Sequence, residues 1–554
     1  VIKLAKALHT MTAQEDRRHW PSLLGASLVS GVSRSLFLAL VTTVVAAGQD
    51  NIDWLDITGV LLLIVAILGA DYFSGVHGRK VASLLAIRLR KGLLDRIGGA
   101  NLRFVEKEQP SRLHYHLMHT IGVVSDAYFV MLAFANSLVT LVFNFVYIGW
   151  LSWVGLASAL LISLVGVQVH WHFERMNTER RRRLDLLNNS NNAHHLAYLQ
   201  GYKELRLSRA KETDFRHLIG NINEMQMKES VAEARISAFG NMATDLFQYL
   251  TIAAAALLLP ILAGVDSLTI MQLLAAILFT IGPLGGVVGA FSSFGRTQVS
   301  MDNYHHLLEA SAATREQPTP PGRAPLPDFE SLELRSVTFR FERPPGQEGE
   351  EFRIGPIDLT LRRGEVVFIV GGNGSGKTVL MRLLTGLYHP SEGTILFNGR
   401  PLEEEDRQSF REQFSTVFND FHLFEELLGQ PDLLAEVMCE RLDHYDLSGK
   451  TRFLAEGRRF TTVALSTGQR KRMALAVSDV ERRPLLVLDE FGAEQDPDHR
   501  DRFYRQWLVE LRAQGQTVVV VSHDDRYFDA ADRIVHMDFG QISHIETTAV
   551  PIRS

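Results

Sequence analysis

The stretch Gly371-Gly372-Asn373-Gly374-Ser375-Gly376-Lys377-Thr378 follows the apolar run Val366-Val367-Phe368-Ile369-Val370 and leads into Val379-Leu380-Met381-Arg382-Leu383-Leu384. A buried strand, a glycine turn and a helix in that order make a Walker A loop. Glycines at 371, 372, 374 and 376 let the backbone turn with positive φ and aim successive N–H groups at one point, where the helix adds its positive end. Such a cradle suits the phosphates of a nucleoside triphosphate, so Gly371 through Val379 is the expected ATP-binding loop. Lys377 would reach the β- and γ-phosphates, and the Thr378 hydroxyl would ligate Mg²⁺.

Upstream of this loop the composition changes. Hydrophobic residues make up 46% of the 554-residue chain, an average of a strongly apolar first half and an ordinary charged second half. Six stretches are apolar enough for bilayer-spanning helices of about 20 residues, near 21–47, 57–78, 124–149, 152–173, 238–263 and 268–292. The third and fourth almost touch at Gly149-Trp150-Leu151-Ser152, and the fifth and sixth are separated by Gly264-Val265-Asp266-Ser267. The connections 48–56, 149–152 and 264–267 contain no Lys or Arg, whereas the two longer segments are rich in both. The positive-inside rule puts those long segments, both termini and the nucleotide domain in the cytoplasm. Helical apolar spacing, as in Val81-Ala82-Ser83-Leu84-Leu85-Ala86-Ile87, predicts that the helices run on beyond the membrane. The run Arg180-Arg181-Arg182-Arg183 reads either as a solvated or lipid-headgroup face or as a funnel for an anionic substrate.

The proline-dense segment Glu316–Asp328 predicts a stiff extended linker. The resulting division is a membrane domain over 1–310, a linker over 311–330 and a soluble α/β domain over 331–554. A net charge of −6 offers no general basic field, so nucleic acid is not an expected partner. The lone Cys439 excludes an intramolecular disulfide and a cysteine-based zinc site, and reads as a structural thiol. No internal repeat, protease domain or N-terminal extension is evident.

Downstream, Leu485-Leu486-Val487-Leu488-Asp489-Glu490 is a buried strand ending in two carboxylates, the Walker B arrangement. Asp489 suits the Mg²⁺ shell, and Glu490 would polarise the attacking water as general base. His523, after the strand Thr517–Ser522, is placed to contact the γ-phosphate and orient that water, although an isolated histidine is more often structural.

Between the Walker motifs stands Leu465-Ser466-Thr467-Gly468-Gln469, followed by Arg470-Lys471-Arg472-Met473, which resembles the ABC signature. The whole chain resembles ABC exporter half-transporters: an α-helical membrane domain of six spans fused to an α/β P-loop NTPase domain. The resemblance implies an ATPase working as a domain-swapped homodimer, in which the signature of one subunit closes on ATP held by the other's P-loop. It also places Phe341 as the aromatic that stacks on adenine, Asn419 at the Q-loop position with its Mg²⁺ contact, and Asp496 in the D-loop. Relatives mostly carry tyrosine and glutamine where this chain has Phe341 and Asn419, so a core role for Phe341 and a weakened metal contact for Asn419 stay open.

The loops Val417–Phe424, Ala464–Leu475, Asp489–Pro497 and Ser522–Phe528 together resemble the bacterial cyclic-peptide exporter branch, whose members move siderophore precursors, lipopeptides and lasso-type peptides. That resemblance implies export of a compact peptide across a bacterial inner membrane. A lipid or multidrug flippase is the alternative, and an ATP-gated regulatory or channel protein is the alternative of another class. Segments around Phe104–His116 and Leu205–Phe215, broken at Pro110 and Gly201, resemble coupling helices or are ordinary turns. Asp71, Gln168, His170, Asp245 and Gln248 are polar groups in or near spans and candidates for the substrate path, though helix–helix hydrogen bonding suits each equally. Gly282-Pro283 with Gly285-Gly286 is expected to bend or loosen the sixth span.

Overall fold

The structure is a computed structural model that describes residues 19–47, 53–258, 260–261, 266–320, 322–323, 325–341 and 352–548. The chain divides into two compact units, one of residues up to Ala100 with Phe104–Arg315, the other of Asn101–Arg103 with Glu316 onward.

The first unit is helical. Its elements are α1 (His19–Ala47), α2 (Trp54–Gly98), α3 (Leu102–Glu108), α4 (Pro110–Tyr115), α5 (Ile121–Leu151), α6 (Trp153–Gln200), α7 (Tyr202–Arg206), α8 (Arg209–Ala253) and α9 (Ser267–Ala313). Among the described residues, five helices are long and apolar enough to cross a membrane: α1, α2, α6, α9 and the run Pro110–Leu151 that joins α4 to α5. The stretch expected at 238–263 lies on α8 and the π-turn Ala254–Leu258, and its residues 259, 262 and 263 fall outside the described residues. Helices of 45 to 48 residues are about 70 Å long at 1.5 Å per residue, more than twice the hydrocarbon thickness, so they extend past the bilayer.

Local chemistry sets the breaks. Ser152 alone joins α5 to α6, and its hydroxyl accepts the Gly155 N–H at 3.1 Å, capping the new helix. Asp266 caps α9 by accepting from the Thr269 N–H at 3.3 Å. Gln109, with φ +64°, turns the chain before Pro110, which opens α4. The second break between long helices is shorter than expected: α7 ends at Arg206 and α8 begins at Arg209, so residues 209–215 already belong to the long helix. Nor is α9 interrupted at Pro283. Gly286 there serves close packing, since a Cβ would lie 2.3 Å from the Ser137 hydroxyl on α5.

The arginine run is split: Arg182 and Arg183 are exposed, as a solvated face requires, whereas Arg180 and Arg181 are held in ion pairs. Arg181 is buried between Glu174 (2.7 Å) and Glu233 (3.0 Å), and a Cβ on Gly295 would come within 2.6 Å of its guanidinium. Arg180 pairs with Glu229 at 3.0 Å. Glu174 two turns back on α6, and Glu229 and Glu233 on α8, neutralise two charges that looked solvent-facing along the sequence.

The second unit has a four-stranded antiparallel sheet and a six-stranded, mostly parallel one. The first has the order β2-β1-β4-β5, from Ser331–Arg340 (β1), Arg353–Arg362 (β2), Glu392–Phe397 (β4) and Arg400–Pro401 (β5). The second has the order β12-β11-β3-β10-β9-β6, from Val366–Gly371 (β3), Phe414–Val417 (β6), Leu485–Asp489 (β9), Thr517–Val521 (β10), Arg533–Asp538 (β11) and Gln541–Thr547 (β12). A two-residue ladder, β7 (Phe453–Leu454) with β8 (Arg459–Phe460), stands apart. Alternate residues of β3, β9 and β10 enter opposite cores: Val366, Phe368, Leu486, Leu488, Val518 and Val520 on one face, Val367, Ile369, Leu485, Val487, Val519 and Val521 on the other. Burial on both faces explains the unbroken apolar runs, and each such side chain contributes about 1.5–3 kcal/mol.

The proline-rich segment is held down at Glu316, Thr319 and Arg323. Arg411 donates to Glu316 at 2.6 Å, and His389 lies 3.0 Å from the same carboxylate. The Thr319 hydroxyl donates to the Glu405 carbonyl at 3.0 Å, and Arg323 reaches Glu403, Glu405 and Asp406 at 2.5 Å each.

Candidate functional site: the nucleotide site

Parallel register places Ile369 and Asp489 on either side of Val521, and Gly371 beside Met537. The glycine loop, the Walker B carboxylates and His523 therefore leave the sheet at one carboxyl edge, where ligands of open α/β sheets bind.

The loop fits a phosphate. Gly374 (φ +80°) and Gly376 (φ +97°) take left-handed conformations that a Cβ would strain, and a Cβ on Gly371 would meet the Met537 carbonyl at 2.3 Å. Gly372 is not among the positive-φ glycines and has open space around it, so the turn uses three of the four glycines. The Ser375 hydroxyl is buried without a hydrogen-bond partner, and Asn373 is exposed on the loop. Lys377 opens helix α10 (Lys377–Leu384) and donates to the carbonyls of Gly371 (2.9 Å) and Gly372 (3.0 Å). Burial holds its pKa below the usual lysine value, against the pull of Glu490 and Asp489. Thr378 is exposed in the first turn and Val379 is partly buried.

Asp489 is buried, and that burial, with Glu490 beside it, holds its carboxyl above the usual range while the Asn419 backbone N–H pulls the other way. The Thr378 hydroxyl and the Asp489 carboxylate are hard oxygen donors of the kind Mg²⁺ takes. Glu490 sits at φ +50°, its N–H bonded to the Val521 carbonyl at 3.2 Å and its carboxylate 3.4 Å from His523 Nε2. The Asn419 side-chain oxygen accepts from Lys471 at 3.4 Å, a contact that competes with any metal for that atom.

Ser466 caps the helix Thr467–Glu481 in a capping box with Gln469, which leaves the signature N–H groups at a helix N-terminus. Leu465 packs on the core below. Gly468 lies against the D-loop: a Cβ would be 2.7 Å from the Glu494 carbonyl, and Gln495 donates to the Gly468 carbonyl at 3.1 Å. Asp496 caps Pro497–Arg502 through the His499 N–H at 3.1 Å. The Phe341 N–H donates to the Phe352 carbonyl at 3.2 Å, two residues before Ile354, which touches Gly376; its ring packs edge-on to Phe339 and Tyr388.

Of the five substrate-path candidates, Asp71 stands on α2, Gln168 and His170 on α6, and Asp245 and Gln248 on α8. Asp71 is engaged by Ser30 (2.6 Å) and Arg34 (2.5 Å) across α1 and α2. Gln168 and Asp245 are exposed, and Gln248 is buried. His170 is buried against Gly240 with neither ring nitrogen hydrogen-bonded. Two buried groups escaped the sequence reading: Arg181, whose carboxylates lie on another turn and another helix, and Lys471, one place in an otherwise ordinary basic helix start.

The fold and this edge define a membrane-spanning P-loop ATPase. The family profile described as "ABC transporter" matches residues 354–493 and "ABC transporter transmembrane region" matches 24–284. The ATP-binding protein SyrD of Pseudomonas syringae pv. syringae is 29% identical over 87% of this chain and 86% of its own length. The ATP-dependent lipid A-core flippase of Burkholderia orbicola is 24% identical over 89% of this chain and 84% of its own length. A solved structure, "Structure of a bacterial Atm1-family ABC exporter with ATP bound", shares the fold with a TM-score of 0.79, 18% identity, and coverage of 96% and 95% of the two chains. The chain belongs to the ABC exporter half-transporters. It is an integral membrane ATPase coupled to export, and half-transporters of this family typically function as dimers.

Proposed function

We propose that this chain, as a homodimer in a bacterial inner membrane, exports a cyclic or otherwise compact peptide from the cytoplasm, such as a siderophore precursor, lipopeptide or lasso peptide. The observation that carries the reading is the wording of the four nucleotide-domain loops, Val417–Phe424, Ala464–Leu475, Asp489–Pro497 and Ser522–Phe528. The identity to SyrD, at 29%, is also above the 24–26% found with flippases over comparable lengths.

In this reading Gly371–Val379 binds the triphosphate of ATP and Phe341 stacks on its base. Thr378 and Asp489 hold Mg²⁺, which supplies charge neutralisation at the phosphate oxygens. Glu490 takes the proton of the attacking water, and His523, 3.4 Å from it, orients that water. Ser466 and Gly468 complete the site of the second copy. Lipid surrounds the spans.

The test is Mg²⁺-dependent ATP hydrolysis in lipid nanodiscs, with Glu490→Gln as blank, against a panel of cyclic peptides, lasso peptides, siderophore precursors and lipids. Stimulation by one peptide class, with uptake of that class into sealed inside-out vesicles, is the expected result. The second reading, a lipid or multidrug flippase, is favoured by the whole-length similarity to lipid A-core flippases. Stimulation by lipids or hydrophobic amines alone would put it first. Flux unchanged in Glu490→Gln would instead point to gating without coupled hydrolysis.

A further inference from the structure

Lys471 is 1% exposed, among the largest fully buried side chains described. A buried ammonium is costly unless its protons are matched by acceptors, and here three acceptors come from three segments. The Glu490 backbone carbonyl accepts at 2.9 Å, the Asn419 side-chain oxygen at 3.4 Å, and the Glu494 carboxylate lies 3.3 Å away. Lys471 itself stands on the helix that begins at the signature. One charge therefore ties together that helix, the loop after β6, the end of β9 and the turn Phe491–Glu494.

We propose that Lys471 is a positioning residue for hydrolysis: it fixes the backbone of Glu490, and with it the direction of the general base, while binding the shortened amide at 419 to the signature helix. This rests on the assignment of Glu490 as the base. The geometry has a specific logic. Glu490 is a non-glycine residue in the left-handed region, a conformation that persists only when its surroundings over-determine it. Its N–H is fixed by Val521, and its carbonyl is fixed by Lys471. Release of the carbonyl lets the backbone relax and swings the carboxylate away from His523 and from the line of attack. Asn419 lies in the same clamp, since its backbone N–H holds Asp489 and its side chain holds Lys471. Lys471 thus stands behind both Walker B carboxylates, through the Glu490 carbonyl on one side and Asn419 on the other.

The experiment compares wild type, Lys471→Met, Lys471→Arg, Glu494→Gln and Glu490→Gln in nanodiscs, reading kcat and KM for ATP, and nucleotide affinity in the Glu490→Gln background. A base misdirected by a few tenths of an ångström predicts kcat for Lys471→Met down by ~10- to 100-fold with KM within about twofold. Lys471→Arg, which keeps the charge, should recover part of that loss, and Glu494→Gln, which removes the anionic partner but leaves an amide oxygen, should lower kcat by about threefold. A merely structural lysine would instead move KM, nucleotide affinity and thermal stability together, and that outcome overturns the proposal. So does a Lys471→Met kcat within twofold of wild type while Glu490→Gln is inactive, which leaves the base assignment standing. If Glu490→Gln itself turns over normally, the base assignment fails first. Should Lys471→Met not fold, Glu494→Gln decides: lowered kcat at unchanged KM supports the clamp, and wild-type kinetics reject it.

Discussion

Glu490, the proposed base, combines a left-handed backbone, a half-buried carboxylate and His523 at 3.4 Å. The amide of glutamine is isosteric but cannot take a proton, so Glu490→Gln should keep ATP affinity and lose hydrolysis by about 100-fold or more; steady-state turnover beside equilibrium nucleotide binding checks this. Arg181 offers a contrast of residue energetics. Removing it strands Glu174 and Glu233 in a buried site, and Arg181→Met should cost about 3–5 kcal/mol. Its neighbour Arg180, with a side chain 37% exposed, should cost about 1 kcal/mol or less as Arg180→Met. Thermal unfolding of the two variants in the same detergent measures the difference.

At the scale of elements, the segment between α9 and β1 is anchored rather than loose. Burial alone would raise Glu316, but hydrogen bonds and charge from His389 and Arg411 outweigh it and hold the carboxyl down to about 2. A depressed carboxylate contributes stability that is complete above its unfolded pKa, near 4.5, and is lost as pH falls toward 2. Across that window the contribution amounts to at most about 3 kcal/mol. The wild-type advantage in Tm over Glu316→Gln should therefore be constant from pH 8 to 5 and shrink from pH 5 to 3. Proline density revealed that segment as extended, but not as anchored, because Arg411, Glu403 and Asp406 lie 80 to 95 residues away from their partners. The glycine loop was legible for the opposite reason: its chemistry is complete within eight consecutive residues. The parallel strands were legible because burial on both faces leaves an unbroken apolar signature. The charge partners of Arg181 and Lys471 were not, since each depends on which turn of another helix or loop arrives beside it.

At the scale of the whole molecule, the P-loop and the signature of one chain are supported by different segments. The P-loop rests on Met537 and Ile354, the signature on Glu494 and Gln495. Each chain thus carries both halves of a nucleotide site, and whether the halves meet within a chain or across a dimer is decidable with two inactive variants. Lys377→Ala removes the proposed phosphate contact; Ser466→Arg blocks the signature N-terminus. In either homodimer both composite sites carry one damaged half. A heterodimer gathers both lesions into one site and leaves the other whole. Co-expression with two tags and tandem purification should therefore yield a preparation that hydrolyses ATP when neither parent does. Per heterodimer, the rate should reach at most about half of wild type, since one of two sites survives. A heterodimer as inactive as its parents would mean either that the sites close within one chain or that the two must fire together. Separating those outcomes requires only Lys377→Ala and Ser466→Arg on the same chain, co-purified with a wild-type copy. Sites closed within each chain would leave that copy active at half rate, and sites shared across the dimer would silence both.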